Sequence, residues 1–355
     1  MHGIIMAGGE GTRLRPLTLL KPKPMVTLLG RPVIDFVASA LVKAGVDEII
    51  VTTGYRGEQL EEHIQHWNSK FSLPSRVNQE STPMGTAGSV RLLSDEIQET
   101  CIVGSGDSVA SYEIAPLLES HHKSQAKVTM ALWEVDDPTQ YGIVGLSATH
   151  QGQMTEGLTE GFISKFAEKP SSEDAFSNLI NAGLYIIEPE VFAHIPKDVK
   201  YDFSKNLFPL LLEMGWPIYA KKVKGMWFDV GHPEELLKAQ TALMQHTEFL
   251  PFNLKKGVQL DGPGYSLSPL KSESISSSFI DEECTILAPS TIVESYVMKG
   301  AAIGMNCNIH SSIIGESCEI GDDVQLVNCV VGDGITIPSG SMYTNQRIPD
   351  IKSTL

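Results

Sequence analysis

The chain has 355 residues, 42% of them hydrophobic and 20% charged, with a formal net charge of -16. That size admits two domains and a large core, and the composition is that of an ordinary globular protein. The negative charge argues against wholesale binding to nucleic acid or anionic membrane, both of which need basic surface. No apolar run reaches bilayer-spanning length and no signal peptide precedes the first strand-like segment, so cytoplasmic residence is the expectation. Five cysteines without CxxC spacing suggest neither a zinc site nor a disulfide framework.

From residue 1 to about 245, short apolar runs alternate with helix-like stretches. Gly3 to Ala7 reads as a strand, Val33 to Ala44 as a helix and Glu48 to Thr52 as the next strand. Glu58 to Trp67 is helical again, and Cys101 to Gly104 is a buried strand. This alternation predicts an α/β domain with a mixed, mainly parallel sheet. Val128 to Glu134, Leu184 to Ile187 and Ile218 to Val223 are more irregularly spaced strands, read as a second wall over the sheet's binding edge. Residues 246–275, rich in Gly and Pro, are expected to be a linker. The pair His121–His122 is expected on the surface at a helix end.

The tail, 276–345, is of another kind. Ile280, Val297, Ile314 and Val331 lie 17 apart, as do Ile286, Ile303, Ile320 and Ile337, and also Ile292, Ile309 and Leu326. Three columns repeating together indicate a solenoid with three sides per turn. Small residues recur in phase, among them Cys284, Ala301 and Cys318, or Ser295, Ser312 and Cys329. Four of the five cysteines are therefore expected to be small core residues. The repeat resembles the left-handed parallel β-helix of hexapeptide-repeat proteins.

Near the N-terminus, Gly8-Gly9-Glu10-Gly11-Thr12 follows the first strand, with Arg13, Arg15, Lys21 and Lys23 after it. Glycine lets backbone N–H groups approach phosphate oxygens. The pattern is not a Walker A loop, which needs GxxxxGK before Ser or Thr. Nor is it a dinucleotide fingerprint, because Leu14 stands where the third glycine belongs and the second strand ends in Thr52-Thr53-Gly54 without an acid. The Arg fork and Lys point charges suit a triphosphate instead. A plain tight turn with a basic surface is the bland alternative.

GGEGTRLRPLT followed by PKPM resembles the signature of sugar-1-phosphate nucleotidylyltransferases, and the likeness runs along nearly the whole chain. Glu80 to Gly88 is similar to the family's nucleotide-binding segment, and Gly106-Asp107 to its metal-binding GD, with Ser105 where the family usually has Asn. Tyr141-Gly142, Glu168-Lys169-Pro170 and Asn181-Ala182-Gly183 resemble the sugar-phosphate site, and Trp227 to Gly231 the segment with a second metal-binding aspartate. The resemblance implies a Rossmann-like nucleotidyltransferase domain followed by the short β-helix. It also implies transfer of a nucleotidyl group from an NTP to a sugar 1-phosphate, giving an NDP-sugar and pyrophosphate.

By that resemblance, Ala7, Gly8, Gly9, Gly11, Thr12, Gly85 and Thr86 line the nucleotide, and Arg13 and Lys23 hold the triphosphate. Asp107 and Asp229 bind Mg²⁺, and Asp107 joins Arg13 and Lys23 as a catalytic candidate. Lys169 holds the sugar phosphate, while Glu168, Asn181 and the backbone at Gly142 and Gly183 read sugar hydroxyls. Lys21 and Arg15 are read as supporting charges. Each motif alone has a bland reading, an aspartate in a turn or a solvated Glu-Lys pair, and only their joint order points to a site.

Glu80 bears on the base. A carboxylate only accepts, which suits the adjacent N1–H and N2–H₂ donors of guanine better than uracil or thymine. ESTPMGTAG also resembles guanylyltransferases that make GDP-mannose, so GTP and mannose 1-phosphate are the expected pair. Uridylyl or thymidylyl transfer to glucose 1-phosphate, or an unusual sugar phosphate, stays open. A scaffold subunit is the rival of another class, although both aspartates and the basic pair are present. An added acyltransferase activity is disfavoured by the short repeat, whose His310 is expected to point outward. A homo-oligomer formed through the β-helix is expected.

Overall fold

The computed structural model describes residues 1–54, 57–270 and 274–350. The chain forms two compact units, one of Met1–Gly9 with Phe36–Trp227 and one of Glu10–Asp35 with Phe228–Leu355. Residues 271–273 of the expected linker lie outside the described residues. No described helix is long and apolar enough to cross a membrane.

The first unit is built on a nine-stranded mixed sheet. Ser75–Gln79, Glu48–Thr53, His2–Met6 and Cys101–Ser105 lie side by side in parallel. Leu179–Ile187 then joins antiparallel, followed by Val128–Glu134, Ile218–Lys222, Glu160–Glu168 and Gly142–Ser147. His2–Met6, Glu48–Thr53 and Cys101–Ser105 are mostly apolar and buried at their centres, as helices on both faces demand, whereas Ser75–Gln79 at the sheet edge is polar and only partly buried. Ile4, Ile50, Val103, Met130 and Ile187 are fully buried in the shared core, with Phe203, Leu207 and Phe208 from the chain beyond. The helix Ile34–Lys43 stops where Gly45 takes φ 81 and Val46 N–H reaches back to the Leu41 carbonyl, a left-handed C-terminal stop.

His121 corrects the expectation of a surface pair. It is 1% exposed on the helix Ala115–Ser124, while His122 faces out. Thr129 Oγ1 lies 2.8 Å from its Nδ1, and Glu188 Oε1 2.9 Å from its Nε2. Both ring nitrogens therefore have partners, which is the condition for burying an imidazole.

In the second unit, strands of two or three residues pair in parallel at an offset of 17: Ile280 with Val297, Ile286 with Ile303 and Ile292 with Ile309. They form three parallel sheets visited in turn, an arrangement consistent with a β-helix. Each buried aliphatic side chain contributes roughly 1.5–3 kcal/mol, so stacked columns can hold strands too short to persist alone. The corners repeat as well: Ser277, Glu294, Ser311, Asn328 and Asn345 all have positive φ, and so do Glu283, Gly300, Ser317 and Gly334. Small inward residues serve as hydrogen-bonding posts. Ser278 Oγ accepts from Ser295 N, Ser295 Oγ from Ser312 N, and Ser312 Oγ from Cys329 N, each near 3 Å. Cys284, Cys307, Cys318 and Cys329 are buried in this core, as expected.

Two strands, Val258–Leu260 and Gly264–Ser266, lie within the stretch read as a linker. Gly264–Ser266 pairs in parallel with Phe279–Ile280, so the parallel stacking begins before the regular 17-residue period does. The irregular offset, Ser266 with Ile280, hides it from a periodicity argument. The helix Pro233–Gln245 also belongs to this unit, where Gln240 Nε2 donates to the Ser295 carbonyl at 3.3 Å.

Candidate functional site

The expected site residues divide between the two units, and the chain passes from one to the other at Gly9–Glu10, inside the glycine loop. In the first unit they gather at the ends of the parallel strands, where open α/β sheets bind ligands. Ala7 is held there by its N–H on the Thr52 carbonyl, 2.8 Å, and by Thr53 Oγ1 donating to its own carbonyl. Gly8 follows, where a Cβ would lie 3.1 Å from Glu80 Oε1. Gly9 is different: an added Cβ there meets no protein atom within 4 Å. Packing therefore does not account for Gly9, whereas Gly8 makes room for a carboxylate.

Glu80 is pinned at both ends. Its N–H donates to Thr53 O at 2.8 Å, and its Oε2 accepts from Met84 N at 2.9 Å. Burial raises its pKa against the opposing effect of the Met84 N–H. It is thus a half-buried, acceptor-only group beside the first glycines of the loop.

Gly85 has φ 75, and a Cβ would fall 2.6 Å from the Tyr201 carbonyl oxygen. That carbonyl accepts from both Ala87 N and Gly88 N at 3.0 Å. Thr86 Oγ1 donates to Asp202 Oδ2 at 2.8 Å and accepts from Phe203 N at 3.0 Å, so its hydroxyl is engaged by the protein. Asp202 in turn caps the π-helical turn Phe203–Leu207 through Ser204 N and Lys205 N. The loop Tyr201–Asp202 was absent from the sequence reading. An Asp before an apolar run, the usual N-cap signal, was the sign of it.

Asp107 follows Cys101–Ser105, and the Ser105 hydroxyl donates to its Oδ1 at 2.5 Å. Ser105 thus contacts the carboxylate directly. Across the sheet, the pairing of Leu179–Ile187 slips between Asn181 and Tyr185. Gly183 takes φ 75 in that bulge, and a Cβ on it would lie 3.2 Å from Ser105 Cβ. Asn181 Nδ2 donates to Tyr185 Oη at 2.8 Å and Ser204 Oγ at 3.1 Å, while its Oδ1 accepts from Gly183 N at 2.9 Å. Both amide protons are used inside the protein, leaving this residue acceptor capacity only.

Ile180 pairs with Ile143, and Gly142 pairs with Glu168, which brings these expected sugar-phosphate residues to one end of their strands. A Cβ at Gly142 would collide with Glu168 Oε2 at 2.7 Å. Burial raises the Glu168 pKa, Asp202 adds to the rise, and Lys169 and Lys205 oppose it. Lys205 is a further cation that sequence order had not singled out. Lys169 stands exposed at φ 49, its N–H on the Tyr141 carbonyl at 2.9 Å.

The second unit holds the rest. Gly11 has φ 66, and a Cβ would sit 2.7 Å from Lys23 Cβ, so this glycine is set by the protein itself. Thr12–Leu14 form a 3-10 turn, from which Arg13 Nη1 comes 3.4 Å from His232 Nε2. Lys23 is buried, with its Nζ 3.4 Å from Asp229 Oδ1. A Cβ on Gly231 would lie 3.1 Å from Arg13 Nη2 and 3.4 Å from Asp229 Oδ1. Arg13, Lys23, Asp229 and His232 therefore share one neighbourhood. Lys21 does not join it, because its ammonium pairs with Glu316 and Asp333.

No group of three or more His, Cys, Asp or Glu among the described residues forms a metal cage. Asp107 and Asp229 offer hard carboxylate oxygens, and Mg²⁺ is typically held by one or two carboxylates plus substrate phosphates and water. The donor chemistry fits that ion. A cavity of about 580 Å³ lies elsewhere, lined by residues such as Met244, Phe252 and Tyr265, and contains none of these residues.

Comparison with known proteins adds two family matches and three relatives. The family described as Nucleotidyl transferase matches residues 2–246, and one described as GMPPB C-terminal domain matches residues 274–353. A mannose-1-phosphate guanyltransferase of Kluyveromyces lactis is 33% identical over 267 residues, 74% of this chain and 70% of the relative. The Saccharomyces cerevisiae protein of that name is 34% identical over 240 residues, 67% of this chain and 63% of its own. The mannose-1-phosphate guanylyltransferase catalytic subunit beta of Danio rerio is 33% identical over 251 residues, 69% and 65%. The chain thus spans about two thirds of the length of these relatives.

Proposed function

We propose that this chain, which belongs to the nucleotidyl transferase family, transfers the guanylyl group of GTP to mannose 1-phosphate, forming GDP-mannose and pyrophosphate. The observation that carries the choice of base is Glu80, an acceptor-only carboxylate set against Gly8 at the head of the glycine loop. Its raised pKa reflects desolvation that two donors of a guanine edge would offset. The names of the relatives support the same substrates.

In this reading an oxygen of the sugar phosphate attacks the α-phosphorus of GTP in line. The bond from that phosphorus to the bridging oxygen breaks, and pyrophosphate leaves with the electron pair. Attacker, centre and leaving group are all anionic, so the protein must align and neutralise them. Arg13 and Lys23 hold the triphosphate and the emerging pyrophosphate. Gly9 and its neighbours approach the phosphates with backbone N–H groups. Lys169 binds the sugar phosphate, and Glu168 with the backbone at Gly142 and Gly183 meets sugar hydroxyls. Asn181 holds the bulge in shape and has an acceptor lone pair for one hydroxyl. Asp107 and Asp229 would hold Mg²⁺, which when bound supplies charge neutralisation on the phosphate oxygens.

The domains are proposed as a catalytic region over 1–245, a connecting stretch over 246–275 and a repeat over 276–345 coiled as a left-handed β-helix. Exposed Val327 and Met342 on adjoining strands of the repeat favour a homo-oligomer. A monomeric mass in solution would refute that.

The test incubates the chain with Mg²⁺, each NTP and a panel of hexose 1-phosphates, and measures pyrophosphate release. Release with GTP and mannose 1-phosphate supports the proposal. Strong release with another pair keeps the transferase chemistry and refutes the base assignment. Silence across the panel points to a sugar phosphate outside it or to a scaffold.

A further inference from the structure

The segment from Thr12 to Met25 carries Arg13 and Lys23, and the last coils of the repeat hold it at three points. Within it, backbone N–H groups take the carbonyls of Gly11, Thr12, Leu14 and Pro16. The carbonyls of Arg13 and Arg15 are taken by Arg347 instead, whose Nη1 lies 2.7 and 3.0 Å from them. Arg347 is itself fixed, in the strand Arg347–Ile348 paired with Val330–Val331. Pro16 packs beside Gly332, where a Cβ would come 3.0 Å from Pro16 Cβ. Further along, the Lys21 ammonium contacts Glu316 and lies 3.0 Å from Asp333 Oδ2. Lys21 and Asp333 are 10% and 11% exposed in their side chains, and Asp333 Oδ1 also accepts from Glu316 N at 2.9 Å.

A 3-10 turn has few hydrogen bonds of its own, and its outward carbonyls are free to rotate toward water. A single guanidinium nitrogen shared by two carbonyls two residues apart ties both to one place. The buried Lys21 cluster then fixes the far end, because moving either partner would leave a charge without compensation. Arg13 is itself one of the residues held at the first end, and Lys23 lies two residues past the second.

We propose that Arg347 and the Lys21–Asp333–Glu316 cluster are positioning residues for nucleotide use, the repeat acting as the jig that sets the Arg13 to Lys23 segment for the triphosphate. This rests on the activity proposed above. Displacements of about 1 Å at a binding group cost up to about 100-fold in rate. A repeat that only extended the surface would have no such effect.

The experiment compares wild type with Arg347→Gln, Arg347→Lys and Asp333→Asn. Amide hydrogen exchange is read at residues 12–26 and, as an internal control, at the helix Ile34–Lys43. Kinetics are read as KM for each substrate separately from kcat. Arg347→Gln should speed exchange at 12–26 while the helix stays protected, and raise KM for the nucleotide about tenfold with KM for the sugar phosphate within about twofold. Arg347→Lys should recover part of both effects, since an ammonium can still donate to a carbonyl. Unchanged exchange at 12–26 overturns the proposal, whatever the substrate proves to be. Faster exchange with an unaltered nucleotide KM overturns the positioning role. If Arg347→Gln loses protection everywhere, Asp333→Asn decides by the same two readouts. If wild type ignores GTP, the proposed activity fails, and the clasp is judged by exchange and by KM for whichever nucleotide the panel selects.

Discussion

The ammonium of Lys23 lies 3.4 Å from Oδ1 of Asp229, and Lys23 is 4% exposed. A buried cation needs a nearby anion, and a carboxylate proposed to hold Mg²⁺ benefits from a group that fixes its orientation. The two residues are 206 apart in the chain, yet each constrains the other.

Asp229→Asn should therefore do more than remove a metal oxygen. It leaves the Lys23 ammonium facing a neutral amide, and turnover should drop by about 100-fold or more. A titration of turnover against Mg²⁺ concentration checks this. The variant should need more Mg²⁺ for half-maximal rate, and an unchanged midpoint would remove Asp229 from the metal site.

Glu80→Gln replaces an acceptor-only group by one that also donates. The Met84 N–H can still bond the amide oxygen, so folding should hold. GTP use should fall about tenfold relative to UTP or dTTP, corresponding to one lost charge-assisted hydrogen bond. Competition assays with mixed nucleotides measure the ratio, and an unaltered ratio would show that backbone groups read the base.

Gly85→Ala should be costly wherever the ligand sits. The added methyl would lie 2.6 Å from the Tyr201 carbonyl oxygen at φ 75, so strain and displacement add. A loss of roughly 2–3 kcal/mol in unfolding free energy is expected, read from denaturant midpoints. The displaced Tyr201–Asp202 loop should also release Thr86, whose hydroxyl now bonds Asp202.

Stability should decline with acid in two stages. Burial lowers the His121 pKa below its usual 6.5, outweighing the pull of Glu188. The folded state then binds this proton less tightly than the unfolded chain, so stability is full above 6.5 and falls as pH drops below it. For Glu188 burial acts upward, but the hydrogen bonds from His121 and Thr100 prevail and lower its pKa below 4.5. Its contribution persists above 4.5 and is lost as pH falls through that lowered value. Thermal melts from about pH 8 down to about pH 3 should show both stages. His121→Gln should abolish the upper stage and, because His121 is also a hydrogen-bond partner of Glu188, alter the lower one.

The spacing of 17 between Ile280 and Val297 was enough to expect stacked parallel coils, because a repeat contacts its own copy at a fixed offset. The same holds for the apolar run Cys101 to Gly104, which is a buried strand. Local chemistry is legible when the partner of a residue is its neighbour in sequence or its counterpart one period away. His121 was misread as surface for the opposite reason. Its partners Thr129, in the strand Val128–Glu134, and Glu188, just past the strand Leu179–Ile187, come from other elements, and no periodicity marks them.

What the sequence by itself determined is therefore the order of the motifs, the alternation of strand and helix, and the repeat. Those follow from side-chain periodicity and turn chemistry acting over a few residues. The tertiary structure alone decided which carboxylate each charge meets. Lys21 and Lys23 stand in one KPKP segment and look equivalent there. One turns to Glu316 and Asp333 and the other to Asp229, because a charge is assigned by the carboxylates folding brings within a few ångströms, whatever their distance along the chain.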